Sequence, residues 1–279
     1  MVTRSESLPS SSTIKVTMPQ KPKLGQNFLH DQNAIRRIIA ALGDIAHQTV
    51  IEIGPGHGAI TGQLATVAER VIAIELDREL APRLRGLLGS DRVSVLEQDV
   101  LQFDFACASA AAGQRFAVVG NLPYYITSPI LLKLAENAAS IHRAVLMVQR
   151  EVADRIVADP GSRDYGLLSV TVQMYGPVER LFTLPPGAFS PPPDVHSTVF
   201  RWRLAPRFVE LGVEESPFLA FARQAFAQKR KTIANNLRAA KYDPAAIQIA
   251  LASAAISPQA RAEELSLEAL ARLFLQIQK

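Results

Sequence analysis

The chain has 279 residues, with 30 Lys and Arg against 26 Asp and Glu for a formal charge of +4, and 48% of it is hydrophobic. That length suits about two ordinary domains, and so much apolar material excludes a disordered or collagen-like chain. No stretch reaches the roughly 18 uninterrupted apolar residues of a membrane span, and the opening residues hold no apolar run of signal-peptide length, so a soluble cytoplasmic protein is expected. The single cysteine, Cys107, excludes an intramolecular disulfide framework and a multi-thiolate zinc site. The histidines stand in no metal-ligand spacing, so no bound metal is expected. Three of the four surplus positive charges fall in residues 206–279, the part of the chain that would face an anionic partner.

In chain order, a Ser/Thr-rich tail at 1–22 is followed, from about residue 48, by short β-branched runs alternating with longer amphipathic ones. This is the α/β pattern. Strands are predicted at 49–53, 70–75, 93–97, 116–120 and 143–149, with helices at 59–68, 78–88, 130–137 and 151–158. Near-continuous apolar strands of this kind suit a parallel sheet covered on both faces. Two further strands, at 167–173 and 197–204, are expected to close it as an antiparallel edge. The prolines at 185, 186, 191, 192 and 193 make 184–193 a stiff exposed loop. Beyond about 207 only helices are expected, with Ser216-Pro217 and Ser257-Pro258 as helix starts and Phe218, Phe221, Ala225 and Ile233 facing a small core. The reading is therefore a Rossmann-like α/β sheet with an all-helical C-terminal domain: tail 1–22, catalytic domain 23–205, helical domain 206–279.

The first strand runs into Glu52-Ile53-Gly54-Pro55-Gly56-His57-Gly58 and then a helix. Glycines at such a turn admit positive φ and close approach of a ligand to the backbone. Glu75 ends the second strand 21 residues after Gly54, where its carboxylate can accept both hydroxyls of an adenosine ribose. Asp99 follows the third strand, placed to accept from an adenine amino group. A nicotinamide dinucleotide and S-adenosylmethionine both put a ribose there. The former needs a helix N-terminus at its pyrophosphate. The latter carries no phosphate but a sulfonium and an ammonium, which Glu52 beside the glycines suits better.

The fourth strand ends in Gly120-Asn121-Leu122-Pro123-Tyr124-Tyr125, at the carboxyl edge where ligands bind in such sheets. Two acceptors gripping an exocyclic amine can turn its lone pair towards a methyl donor. The Asn121 side-chain oxygen and the Leu122 carbonyl are candidate acceptors, Pro123 stiffens the turn and Tyr124 stacks on the base.

Taken together these segments resemble the small-subunit (16S) rRNA adenine N6,N6-dimethyltransferases, the family linked in bacteria to kasugamycin sensitivity. Lys23-Leu24-Gly25-Gln26-Asn27-Phe28-Leu29 resembles the family's cofactor-covering segment, with Leu24 where an aromatic is usual. Met147 to Ala153, Tyr165 to Val170, Phe189 to Ser197 and Arg223 to Lys231 are also similar to family segments. The resemblance implies that Asn27, Leu29, Gly54, Glu75, Asp99 and Asn121 contact S-adenosylmethionine, and that the substrate is a pair of adjacent adenosines in the 3′-terminal hairpin of 16S rRNA, within the 30S subunit or its precursor. It also places Phe189 over the other face of the target base. Arg223 and Arg230 are spaced seven apart on the helix expected from Ser216, as are Lys231 and Arg238, and Arg223, Lys229, Arg230 and Lys231 are expected to meet RNA phosphates. Nothing in the sequence marks an oligomer interface, so a monomer without membrane contact is expected.

Overall fold

The computed structural model describes residues 26–278. The tail and residues 23–25 of the covering segment lie outside them. Five parallel strands form the centre: β2 (Thr49–Ile53), β3 (Arg70–Glu75), β4 (Val93–Glu97), β5 (Phe116–Asn121) and β6 (Ile141–Gln149), in the order β4-β3-β2-β5-β6. Every residue of β2 is buried, as a strand covered on both faces requires. The helices α2 (Ala59–Val67), α3 (Leu80–Leu88), α4 (Phe105–Ala112) and α5 (Thr127–Glu136) provide the crossovers. A short α1 (Gln32–Ala41), capped by Asp31 through the N–H groups of Asn33 and Ala34, precedes the sheet. Ahead of it the two-residue β1 (Phe28–Leu29) pairs antiparallel with β8 (Phe189–Ser190).

The sheet does close with an antiparallel edge, but one of its strands is not the expected one. After α6 (Arg150–Ile156), residues 167–173 lie in a helix, α7 (Leu167–Met174), and the edge is made by β7 (Val178–Leu184) and β9 (Ser197–Arg203). A short run of Leu and Val broken by Ser169 and Thr171 is ambiguous between strand and helix. Here Ser169 decides it: its buried hydroxyl donates to the Arg155 carbonyl and accepts from the Gly166 N–H, locking the first turn. The missed β7 has a register shift between Arg180 and Phe182, so its side chains do not alternate.

The proline loop is also less exposed than expected. Ala188, Phe189 and Pro193 are buried, and His30 N–H donates to the Ala188 carbonyl, so the loop is strapped to β1.

The C-terminal part is helical: α8 (Glu215–Ala225), α9 (Ile233–Ala239), α10 (Pro244–Ser253) and α11 (Leu267–Ile277). Phe218, Phe221, Ala225 and Ile233 are all buried there. Two expected helix starts are displaced. The first helix begins at Glu215 with Ser216 inside it, and Ser257 caps only a turn, accepting from the Gln259 N–H. One apolar cluster runs from Phe200 and Trp202 in the sheet to Phe218, Phe221 and Phe274 in these helices.

Candidate active site in the crevice between two parallel strands

Strand order reverses between β2 and β5, and in open α/β sheets ligands bind at that reversal, beyond the carboxyl ends of the strands. The glycine loop leaves β2 at this place. Gly54 and Gly56 have φ of +66° and +57°, and a Cβ on Gly56 would come within 2.7 Å of the Phe28 ring. Glycine there is thus required twice, by conformation and by contact. Glu75, at the end of β3 and 4% exposed, accepts from Gly56 N–H at 3.0 Å and from Asp77 N–H at 2.9 Å. These two bonds fix the carboxylate at the cleft while each oxygen keeps further lone-pair capacity.

Two adjoining recesses open above the strand ends and share Gln26, Gly54, Glu75 and Pro123. The first also holds Asn27, Leu29, Glu52, Asn121, Leu122 and Tyr124. The second is walled by Ile53, Ile74, Val100, Ile126 and Ile130 and carries Asp99. One Asp99 oxygen, Oδ1, accepts from Leu101 N–H at 2.9 Å. Such a slot, apolar on its walls with one carboxylate at the rim, takes a flat base and hydrogen-bonds its edge.

Asn121 ends β5. Its Nδ2 donates to the Asn27 carbonyl at 2.9 Å, so that bond assigns Oδ1 as the acceptor left for a ligand. Leu122 N–H donates to the Met147 carbonyl at 2.9 Å, which anchors the turn on β6. The Tyr124 hydroxyl lies 3.3 Å from Ser197 Oγ, tying the ring to β9. Glu52 is 2% exposed and its Oε2 has no hydrogen-bond partner among the described residues. Burial pushes its carboxyl up to about 7; the nearby Thr61 hydroxyl opposes that rise and the Glu75 charge adds to it.

The structure therefore brings Asn27, Leu29, Gly54, Glu75, Asp99, Asn121, Leu122, Pro123 and Tyr124 to one crevice. It does not bring Phe189 there as an exposed platform. Phe189 is 3% exposed and sits opposite Leu29 in the core, so in this conformation its ring anchors the proline loop and offers no face to a base. The basic residues also differ from expectation. Arg223 is on α8, but Lys229, Arg230 and Lys231 lie in the exposed connection between α8 and α9, so the spaced pairs share no helix. Gln26 and Phe28, which the sequence places in the covering segment without individual roles, line the first recess, and Tyr125, which has no role assigned from the sequence, lines the second. The signal for Tyr125 was its place directly after the Asn-Leu-Pro-Tyr turn.

The donor set discriminates between cofactors. Among the described residues no Lys or Arg lines either recess, and the Gly56 N–H is already committed to Glu75, so the described part of the crevice does not suit a pyrophosphate. Glu75 shared by both recesses, Asp99 in the second and Glu52 buried in the first suit a cofactor that pairs adenosine with cationic groups. Fold and crevice together define a Rossmann-like α/β methyltransferase.

A family model described as ribosomal RNA adenine dimethylase matches residues 18–279, and the chain belongs to that family. A "Ribosomal RNA small subunit methyltransferase A" of Acidobacterium capsulatum is 60% identical over 266 residues, 95% of this chain and 94% of the relative. One of the same name from Koribacter versatilis is 47% identical, over 98% and 100%. Among solved structures, the 23S rRNA methyltransferase ErmE is 28% identical with a TM-score of 0.69, covering 91% of this chain and 100% of that one. A dimethyladenosine transferase from Plasmodium falciparum, 22% identical with a TM-score of 0.74 over 90% and 97%, shares the fold.

Proposed function

We propose that the chain transfers methyl groups from S-adenosylmethionine to N6 of adenine in small-subunit ribosomal RNA, dimethylating two adjacent adenosines of the 3′-terminal hairpin in the 30S subunit or its precursor. It does so as a cytoplasmic monomer. The observation that carries this reading is the Asn121 amide, oriented by the Asn27 carbonyl so that Oδ1 is the acceptor at the mouth of an acid-lined crevice.

Glu75 holds the ribose hydroxyls, Asp99 takes the adenine amino group through its second oxygen, and Asn27, Leu29 and Gly54 line the methionine end. When bound, S-adenosylmethionine supplies an electrophilic methyl group. The chain's own part is positioning. In the first transfer Asn121 Oδ1 and the Leu122 carbonyl accept the two hydrogens of the target amine and turn its lone pair out of conjugation; in the second, one of these acceptors holds the single N–H that remains. Tyr124, braced by Ser197, stacks on the target base. No strong base is needed, because the nitrogen becomes acidic only after it has accepted the methyl group. Arg223, Lys229, Arg230 and Lys231 hold RNA phosphates and position the hairpin without reading its sequence.

The test is incubation of labelled S-adenosylmethionine with undermethylated 30S and 50S particles, followed by mass analysis of the 3′ fragment. Dimethyladenosine in 30S is the expected product. The likeness to ErmE favours a second reading, methylation of 23S rRNA, and label confined to 50S would establish it. The names and 60% and 47% identities of the bacterial relatives favour the small subunit.

A further inference from the structure

Two segments that resemble the family but have no place in the crevice, Tyr165 to Val170 and the end of Arg223 to Lys231, meet in the fold. They face one another across a cavity of about 240 Å³ between the sheet's α6–α7 connection and the helical part. A single trapped water needs only about 10–15 Å³, so this is space for a ligand. Arg155, Lys229 and Lys231 line it, with Phe226 as its half-buried aromatic wall. Two buried polar atoms of lining residues, the Tyr165 hydroxyl and Asn236 Oδ1, have no hydrogen-bond partner among the described residues. Asn236 Nδ2 donates to the Ala225 and Gln228 carbonyls, so its Oδ1 is held as an acceptor and needs a donor.

We propose that this cavity accepts one nucleotide of the RNA substrate, outside the methylation crevice, with its phosphate on Arg155, Lys229 and Lys231 and its base against Phe226. The inference rests on the RNA-methylating reading above. A nucleotide supplies what these walls lack: anionic oxygens for the cations and a flat π-face for Phe226. Asp164 and Glu263 at the same cavity disfavour a bare polyanion and favour a base with donor groups. The seated nucleotide would fix the RNA's orientation relative to the crevice, since the cavity joins both parts of the chain: Lys229 Nζ donates to the Arg163 carbonyl at 2.8 Å, and Gly161 N–H to the Glu263 carbonyl at 2.7 Å.

Gly166 provides a test that leaves charge untouched. It lines the cavity in extended backbone, and a Cβ there meets nothing within 4 Å, so Gly166→Leu starts a side chain into open space. In the full chain, Gly166→Leu should weaken binding of unmodified small-subunit RNA about tenfold and abolish its direct ultraviolet crosslink to Phe226, with S-adenosylmethionine affinity unchanged. Arg155→Ala, at an exposed side chain, is the second variant should the first fold poorly; it should weaken the RNA and reduce the salt slope by about one. Unchanged RNA affinity in both variants, or crosslinks that avoid this cavity, overturns the proposal. So does adenosine monophosphate crosslinking at Phe226 while both variants bind RNA normally, which would make the ligand a free nucleotide. Wild-type methyl transfer to 30S, measured alongside, reports separately on the underlying reading.

Discussion

Glu75, ending β3, and Tyr124, just past β5, line the same recess and should fail differently. Glu75 is held by two backbone donors and faces both recesses, so Glu75→Ala should weaken S-adenosylmethionine binding by roughly 10- to 100-fold, the loss of charged hydrogen bonds worth about 1.5–3 kcal/mol. Tyr124→Ala should lower kcat/KM for RNA by a similar factor, since stacking a base contributes about 1–3 kcal/mol, and leave cofactor affinity within about twofold. Calorimetry with the cofactor and single-turnover methylation separate the two, and equal loss of cofactor affinity would contradict the division of roles. Glu52 makes a pH prediction. Its carboxyl is raised to about 7 in the folded chain by burial, so the folded state binds a proton that the unfolded state has already lost between about pH 4.5 and 7. Stability without cofactor therefore falls as pH rises through that window and levels off above it. Glu52→Gln should unfold at higher urea than the parent at pH 8, by at most about 3 kcal/mol, and no differently near pH 4. The presence of Glu52, Glu75, Asp99 and Asn121 was legible in the sequence because strand ends and spacing set them. The orientation of the Asn121 amide was not, because it depends on a carbonyl 94 residues away.

At the scale of elements, the parallel strands were legible because their apolar runs are long and bounded by turns. The β7 edge was not, because a register shift breaks its alternation, and α7 was misread because β-branched residues in a short run fit either state. The helix holds through Ser169, whose hydroxyl bonds both Gly166 and Arg155. Ser169→Ala should cost about 1–3 kcal/mol by urea denaturation, more than an exposed serine would. The β1–β8 ribbon is the second decisive element. It seats Phe28 over the glycine loop and buries Phe189 opposite Leu29. Phe189→Ala should therefore destabilise the chain by about 3–5 kcal/mol, whereas an exposed ring would lose little. The same variant should impair cofactor binding, because Leu29 and Asn27 lose their backing.

Across the whole molecule, one apolar cluster links the sheet to α8 and α11, so the helical part is mounted on the catalytic part through packed side chains. The surplus positive charge is displayed on the connection between α8 and α9. Replacing Lys229, Arg230 and Lys231 together by alanine should weaken RNA binding uniformly across sequences and flatten the log–log salt dependence by about two to three, with cofactor affinity unchanged. Filter binding between 50 and 200 mM salt is the measurement, and an unchanged slope would remove these residues from the RNA contact. The order of glycine loop, Glu75, Asp99 and Asn-Leu-Pro-Tyr, together with the α/β alternation, followed from the sequence alone, because strand ends place such residues on one edge of the sheet whatever the remaining packing. The charge asymmetry was equally visible, but not its geometry. Only the tertiary structure decided that Phe189 anchors a loop, that the basic residues occupy a turn, and that two distant segments enclose one cavity. Each of these depends on contacts between residues far apart in the chain, and local periodicity carries no information about such contacts.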